Sequence, residues 1–359
     1  MSLTQVPSGM LQTTAQYYGF KNRIINGGMQ IAQRGTSSTP TSSGTFTCDR
    51  FILFATSGTA AVTQSTSAPA GFTNSTLWTQ TSAGTRNTGD YFEIGQRIEG
   101  LNLSDLGYGT ANAKTVTLSF WVQSSLTGTY ALAFQTASGS GSTYVTTYTI
   151  SAANTWQQIT LTIPGATSGT WLTNNSIGMS VWWDLGSGAT YQTSTLNTWQ
   201  YSTSNALTTS TQVNFGQTSG ATFYLTGVQL EVGTQATSFD YRPYGTELAL
   251  CQRYLPCINT SANTDPIGPA YVYSTTNAIG MFSFLVQARV PPTGVYVSNG
   301  TYFTLDAVSS FTTSAVAFQL GGYYTAHLTL TASGLTAGQG ARWRFNNAAG
   351  QIYFTGCEL

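Results

Sequence analysis

The chain is predicted to be all-β, with an N-terminal jelly-roll β-sandwich followed by a short helix and a smaller C-terminal β-sandwich. Three observations lead there. Apolar and polar residues alternate in short runs, the period of a strand with one face in a core. Gly, Ser, Thr and Asn break these runs at the spacing of antiparallel hairpins. Only one stretch of the 359 residues has convincing helical character.

A leader over residues 1–21 is polar with a few aromatics (Tyr17, Tyr18, Phe20) and is too small to fold alone. The first sandwich is assigned to residues 22–245. Within it Thr115–Val122 alternates clearly, with Val116, Leu118 and Phe120 on one face. Gly128–Phe134, Tyr144–Ile150, Gln158–Ile163, Ile177–Trp183 and Ala221–Val232 behave alike, while Ala137–Ser142 and Ser202–Thr211 read as exposed turns. A helix is expected over Thr246–Leu255, with Thr246 as N-cap, Leu248, Cys251 and Leu255 on one stripe, and Pro256 as its end. The domain boundary is placed at this helical linker, residues 246–257. Residues 258–359 return to strands: Ala278–Ala288, Val295–Ser298, Tyr302–Ala307, Ala315–Gln319, Ala326–Ala332, Arg342–Asn346 and Gln351–Thr355.

Composition narrows the function. Charged residues make up 7 % of the chain, against roughly 25 % in an ordinary soluble domain. Between Lys114 and Glu231 the only charged side chain is Asp184. Catalysts gather ionisable groups, and this stretch has few to gather. Net charge is +0, with eight bases and eight acids in residues 21–242 and four of each in 247–358. No basic stripe for nucleic acid is visible, and no run is long and apolar enough for membrane insertion. No signal peptide is read at the N-terminus, so synthesis in a cytoplasm is expected. Cys48, Cys251, Cys257 and Cys357 lack zinc spacing. Buried thiols are expected, with a Cys251–Cys257 or Cys257–Cys357 bridge as the alternative.

The aromatic set Trp171, Trp182, Trp183, Tyr191, Trp199 and Tyr201 is the candidate carbohydrate site, with Trp182, Trp183, Tyr191, Trp199 and Tyr201 as its principal members. A pyranose stacks its C–H face on an indole or phenol ring, and Asn174, Asn175, Gln192, Asn197 and Gln200 are at hand for its hydroxyls. The competing reading is core or subunit interface, because adjacent Trp182 and Trp183 in a strand point to opposite faces. Asp90, Glu93 and Glu99 with Arg86 and Arg97 form the one dense charge cluster. A glycosidase needs two carboxylates roughly 5–9.5 Å apart, but ion pairs are the preferred reading. Asp240, Arg242 and Glu247 read as an architectural clamp between the two domains. The single histidine, His327, lies in an apolar strand as a core or interface residue. No catalytic residue, metal ligand or cofactor is assigned.

Asn22–Gln30 (NRIINGGMQ), Asp49–Phe51, Glu93–Leu101, Thr115–Val122 and Phe223–Val232 (FYLTGVQLEV) resemble successive strands of carbohydrate-binding jelly rolls. In those modules the closing strand often carries an Asp that helps hold calcium; Thr226 and Gly227 stand there in this chain. The run Gly227–Tyr254 (GVQLEVGTQATSFDYRPYGTELALCQRY), taken with NRIINGGMQIAQRG, resembles a domain of bacteriophage tail-fibre and minor structural virion proteins. That resemblance implies a virion location on tail or capsid surface and a homotrimer. It also implies a leader that binds other virion proteins, and attachment to host-surface glycan or a decoration role.

Overall fold

The computed structural model describes residues 21–38, 44–46, 48–136, 141–201, 205–260 and 262–359. All of the expected leader except Lys21 lies outside the described residues, as do parts of the turns expected at 137–142 and 202–211. The chain divides into a first unit that runs to Arg242 and a second that contains Pro243–Leu359 together with Ile31–Thr36 and Phe46–Arg50.

The first unit holds strands β1 (Ser37–Ser38), β2 (Thr45–Phe46, of which Phe46 counts with the second unit), β3 (Ile52–Ala55), β4 (Thr59–Ser65), β5 (Ser75–Ser82), β6 (Phe92–Glu99), β7 (Val116–Ser124), β8 (Gly128–Gln135), β9 (Thr143–Ile150), β10 (Gln157–Ile163), β11 (Ile177–Asp184), β12 (Trp199–Gln200) and β13 (Thr222–Val232). They form a six-stranded sheet, β1-β4-β5-β13-β7-β10, and a seven-stranded sheet, β12-β9-β8-β11-β6-β3-β2. Alternation explains the packing: Val116, Leu118, Phe120 and Val122 of β7 are all buried, and Phe120 meets Trp183 and Tyr148 of the other sheet edge-to-face at 5.4 and 5.2 Å. Each such pair adds roughly 0.5–1.5 kcal/mol beyond its buried area. β13 bulges between Thr226 and Gln229. Gly227 sits in the bulge at φ +61, where a Cβ would meet Phe72 at 2.7 Å and Trp121 at 2.9 Å.

The clamp residues act inside the first unit. Arg242 donates to the carbonyls of Ile24 (3.2 Å) and Asn22, and Asp240 accepts from the Asn22 amide at 3.3 Å. Glu247 takes no part in that set; it lies buried on the helix of the second unit.

That helix, α1 (Tyr244–Gln252), starts two residues before the expected N-cap and follows Pro243, with no side-chain cap. Its buried positions are Glu247, Cys251 and Gln252, while Leu248 is only half-buried, so the expected apolar stripe is replaced by a mixed one. Ten strands follow: β14 (Cys257–Asn259), β15 (Pro266–Val272), β16 (Asn277–Ser283), β17 (Gly294–Val297), β18 (Phe303–Asp306), β19 (Ser310–Thr312), β20 (Ala315–Gly321), β21 (Thr325–Thr331), β22 (Gly340–Phe345) and β23 (Gln351–Thr355). They form a three-stranded sheet, β14-β23-β17, and a seven-stranded sheet, β19-β18-β22-β15-β16-β21-β20. Phe282 and Phe354 join the two sheets at 4.9 Å, beside buried Trp343, Leu328 and Leu330. His327 is half-buried on the outer face of β21, between Met281 and Leu320 of the flanking strands.

The segments Ile31–Thr36 and Phe46–Arg50 are tied to the second unit's core by polar contacts. Asp49 accepts from the Gln33 backbone and side chain at 2.9 and 2.6 Å. Arg34 and Arg50 both pair with Glu358 near the C-terminus, and the Arg50 guanidinium lies 3.7 Å from the Tyr254 ring centroid. All four cysteines are buried and unbridged, and burial pushes the Cys257 thiol up to about 12 and the Cys357 thiol to about 11.

Candidate functional site

The outer face of the first unit's seven-stranded sheet carries an aromatic patch built around β6 and β11. In β11 (IGMSVWWD), Trp183 turns inward to Phe120 and Phe51, so Trp182 turns outward. Trp182 is the register partner of Gly95 on β6. The missing side chain makes room for the indole: a Cβ at Gly95 would lie 2.3 Å from Trp182 Cε3 and 2.0 Å from the Val181 carbonyl oxygen.

From Trp182 the rings run outward in sequence. Phe54 of β3 meets Trp182 edge-to-face at 5.6 Å, Tyr91 meets Phe54 at 6.2 Å, and Tyr191 meets Tyr91 at 5.8 Å. Tyr191 is brought there by a 3₁₀ turn, Ala189–Tyr191, whose chain is held by Gly188 N–H donating to Asp90 O (2.7 Å) and Thr190 N–H to Thr88 O (2.9 Å). Arg97 projects over the same rings, 5.3 Å from the Phe54 centroid and 5.7 Å from that of Trp182. Trp182 is 4 % exposed and forms the floor; Phe54, Tyr91 and Tyr191 are half-buried and offer ring surface to solvent.

Glu93 lies in the middle of this face, opposite Phe54 on β3 and Asp184 on β11. Its Oε2 is buried with no hydrogen-bond partner among the described residues. Burial, reinforced by the Asp184 charge and opposed by Arg97, pushes its carboxyl up to about 8. This rise favours the protonated form of Glu93, which can donate one hydrogen bond and accept another. Asp184 has a different task. Its Oδ1 accepts from Gly186 N–H at 2.9 Å and Ser187 N–H at 3.2 Å, which caps the turn after β11. Burial raises its pKa, and those hydrogen bonds oppose the rise. Asp184 thus orders the turn after β11 from the same face that carries Glu93. Two further members of the charge cluster, Asp90 and Arg86, serve loops. Asp90 accepts from Asn87 N–H and the Thr85 and Thr56 hydroxyls, and Arg86 donates to Ser187 O and Asn214.

The five principal aromatics expected from sequence do not share one platform. Trp182 and Tyr191 belong to the patch. Trp183 is fully buried between the sheets and presents no face to any ligand, because strand alternation sends it the opposite way from Trp182. Trp199 stands on edge strand β12, 7 % exposed, its Nε1 donating to Pro164 O at 2.7 Å and its ring packed on Tyr144 and Trp171, both at 5.3 Å. Those contacts make it a plug at the sandwich edge. Tyr201 is 38 % exposed beside that plug, its hydroxyl accepting from Thr167 N–H at 3.1 Å. Of the amides expected to serve a sugar, Asn197 and Asn174 are engaged locally, accepting from the Thr146 hydroxyl and Ser176 N–H. Phe54 and Tyr91 were not singled out in the sequence. Their signal is indirect: a glycine on one strand facing a tryptophan on the next marks a ring laid across the sheet.

No protein-family model matches the chain, and no curated protein matches it. Similar solved structures include the enzymatically active domain of bacteriophage CBA120 tailspike protein 4, at 13% identity over 59% of this chain and TM-score 0.32. A CBM4 carbohydrate-binding module is similar at 13% identity over 58% of this chain and 98% of its own, TM-score 0.31. TmCBM61, solved with β-1,4-galactotriose, is similar at 9% identity over 59% of this chain and 99% of its own, TM-score 0.28. This chain spans 22% of the tailspike chain. The chain is thus an all-β protein, and the solved structures similar to it include carbohydrate-binding modules and a phage tailspike domain.

Proposed function

We propose that this chain is a non-catalytic virion protein of a bacteriophage, a fibre subunit that assembles as a homotrimer and contacts neutral glycan on the host surface. The observation that carries the glycan reading is the Trp182–Phe54–Tyr91–Tyr191 ring series around Glu93, whose buried Oε2 has no hydrogen-bond partner among the described residues. Rings supply stacking surface for sugar C–H groups, and a protonated carboxyl supplies a donor that does not repel or attract charge. The virion and trimer parts are supported by the sequence run Gly227–Tyr254. Binding alone is proposed because Asp184, the carboxylate beside Glu93, accepts the backbone amides of Gly186 and Ser187.

Tyr191→Ala is expected to weaken binding of neutral β-linked hexose oligosaccharides about fivefold, the loss of one stacking contact of roughly 1 kcal/mol. Its thermal midpoint should stay near that of the parent, since Tyr191 sits on a surface turn. Equal affinity in parent and variant would remove the patch from the glycan reading. For the assembly, light scattering of the purified chain should give three times 38.2 kDa; a stable monomer would contradict the trimer.

A structural or decoration subunit that binds other virion proteins is the second reading. It is favoured by exposed apolar side chains on the outer face of the second unit's seven-stranded sheet, among them Tyr271, Met281 and Leu320.

A further inference from the structure

The second unit contains a cleft of about 340 Å³ between α1, β14 and the segment Ile31–Gln33. That volume lies at the lower end of the roughly 300–1,000 Å³ of small-molecule sites, enough for one sugar-sized ligand. None of its lining residues is charged. Two large side chains stand at its rim with most of their surface in water, Leu285 at 80 % exposed and Tyr244 at 61 %.

One polar group inside is oriented without being used. Gln33 donates from Nε2 to Asp49 Oδ2 at 2.6 Å, which fixes the direction of its amide. Its Oε1 then accepts from Gln252 Nε2 at 3.2 Å, and Gln252 Nε2 also reaches Cys257 O at 3.4 Å. Both of the Gln252 side-chain interactions are made by its nitrogen, and its Oε1 accepts from no donor among the described residues. Gln252 is 7 % exposed and lines the cleft. A side-chain carbonyl with a free lone pair in the wall of a cleft can accept an N–H or O–H from a ligand.

Beside the cleft, sharing Gln252, Cys257, Ile258 and Leu285 with it, is a niche of about 40 Å³ whose other walls include Phe282 and Phe284. It is large enough for a methyl group and is walled mainly by apolar side chains. A plain hexose would place a hydroxyl against those rings and leave it without a partner, a loss of roughly 1–3 kcal/mol. An acetamido group matches both features, with an N–H donor and a methyl on one rigid plane.

We propose that this cleft is a second binding site, and that it takes one neutral N-acetylated sugar residue, the acetamido N–H donating to Gln252 Oε1 and the methyl entering the niche between Phe282 and Leu285. The Tyr244 ring at the rim covers one face of the pyranose. The site is separate from the sheet-face patch of the first unit, so either reading can fail without the other.

The test titrates the full chain with N-acetylglucosamine and, in parallel, with glucose, read by ligand-observed NMR. Saturable binding of N-acetylglucosamine is expected, at least about tenfold tighter than glucose, which corresponds to roughly 1.4 kcal/mol. Gln252→Met removes the acceptor and should weaken that binding about fivefold or more. Because Gln252 is buried, Leu285→Ser is made as well; on a side chain 80 % exposed it leaves the fold intact and should also weaken binding. Absence of saturable binding, equal affinity for glucose, or full affinity in Leu285→Ser overturns the proposal. Loss of the signal in Tyr191→Ala with full retention in Leu285→Ser also overturns it, and assigns the sugar to the sheet face.

Discussion

Glu93→Gln is expected to raise the thermal midpoint of the first unit at pH 8.5 and to leave it close to the parent at pH 4. The sign follows from the two states. An unfolded glutamate titrates at its ordinary value of 4.5, whereas in the fold burial and the Asp184 charge push Glu93 up to about 8. Below pH 4.5 both states hold the proton and the group contributes nothing. As pH rises from 4.5 to 8 the unfolded chain releases its proton while the folded chain retains it, so stability falls across that window. Above 8 the cost is constant, on the order of a few kcal/mol. Glutamine keeps the shape and has no proton to lose, so the slope should flatten, with a gain of roughly 5–10 °C at the alkaline end. Asp49, pushed up from 3.8 to about 6 by burial, gives the second unit a loss of the same sign between those values. Calorimetry of parent and variant from pH 4 to pH 9 checks this. A variant that is destabilised equally at both ends would mean that Glu93 is ionised and paired in the fold.

Gly95→Ala is the second large effect, and it should be destabilising by about 3 kcal/mol or more, at or beyond the usual range for overpacking. The added methyl would lie 2.0 Å from the Val181 carbonyl oxygen and 2.3 Å from the Trp182 ring. One of these is backbone of the neighbouring strand, so β6 and β11 must separate; the other is the floor of the aromatic patch. Adding Trp182→Ala to Gly95→Ala should recover little, because the carbonyl clash remains. Chemical denaturation of the single and double variants reads this directly. Full rescue by Trp182→Ala would show that the strands can part without cost and that only the ring opposes the methyl.

Much of the β architecture was legible because alternation is local. Val116–Ser124 and Thr222–Val232 match the sequence reading to within a residue or two at each end, as does Gln351–Thr355. Thr59–Ser65 and Ser75–Ser82 were not anticipated, since Thr, Ser and Gln fill both faces and the alternation has low contrast. Pro266–Val272 was masked by its prolines. There the stretch from Pro266 to Pro269 pairs only with β22, and a register shift after Pro266 accommodates the missing amide donors. Membership of Ile31–Thr36 and Phe46–Arg50 in the second unit depends on Glu358 and Tyr254, more than two hundred residues away, and no local pattern carries that.

The candidate site was half legible for the same reason. Parity told that Trp182 and Trp183 part company, but not which faced the core; that was decided by Phe120 and Phe51 across the sandwich. Trp199 looked available because its neighbours in sequence are polar, and it is covered instead by Tyr144 and Trp171. Glu93 was visible as a charge among charges. Its raised pKa comes first from burial in the folded sheet and then from Asp184 on the adjacent strand, some ninety residues later.

The most direct measurement is a titration of the full chain with neutral β-linked hexose oligosaccharides, following the tryptophan indole and tyrosine ring signals by NMR. Glycan contact on the sheet face predicts saturable shifts at Trp182, Tyr91 and Tyr191, with Trp183 and Trp199 unmoved. Shifts confined to Trp171, Trp199 and Tyr201, or no saturable shift with any neutral oligosaccharide, would contradict it.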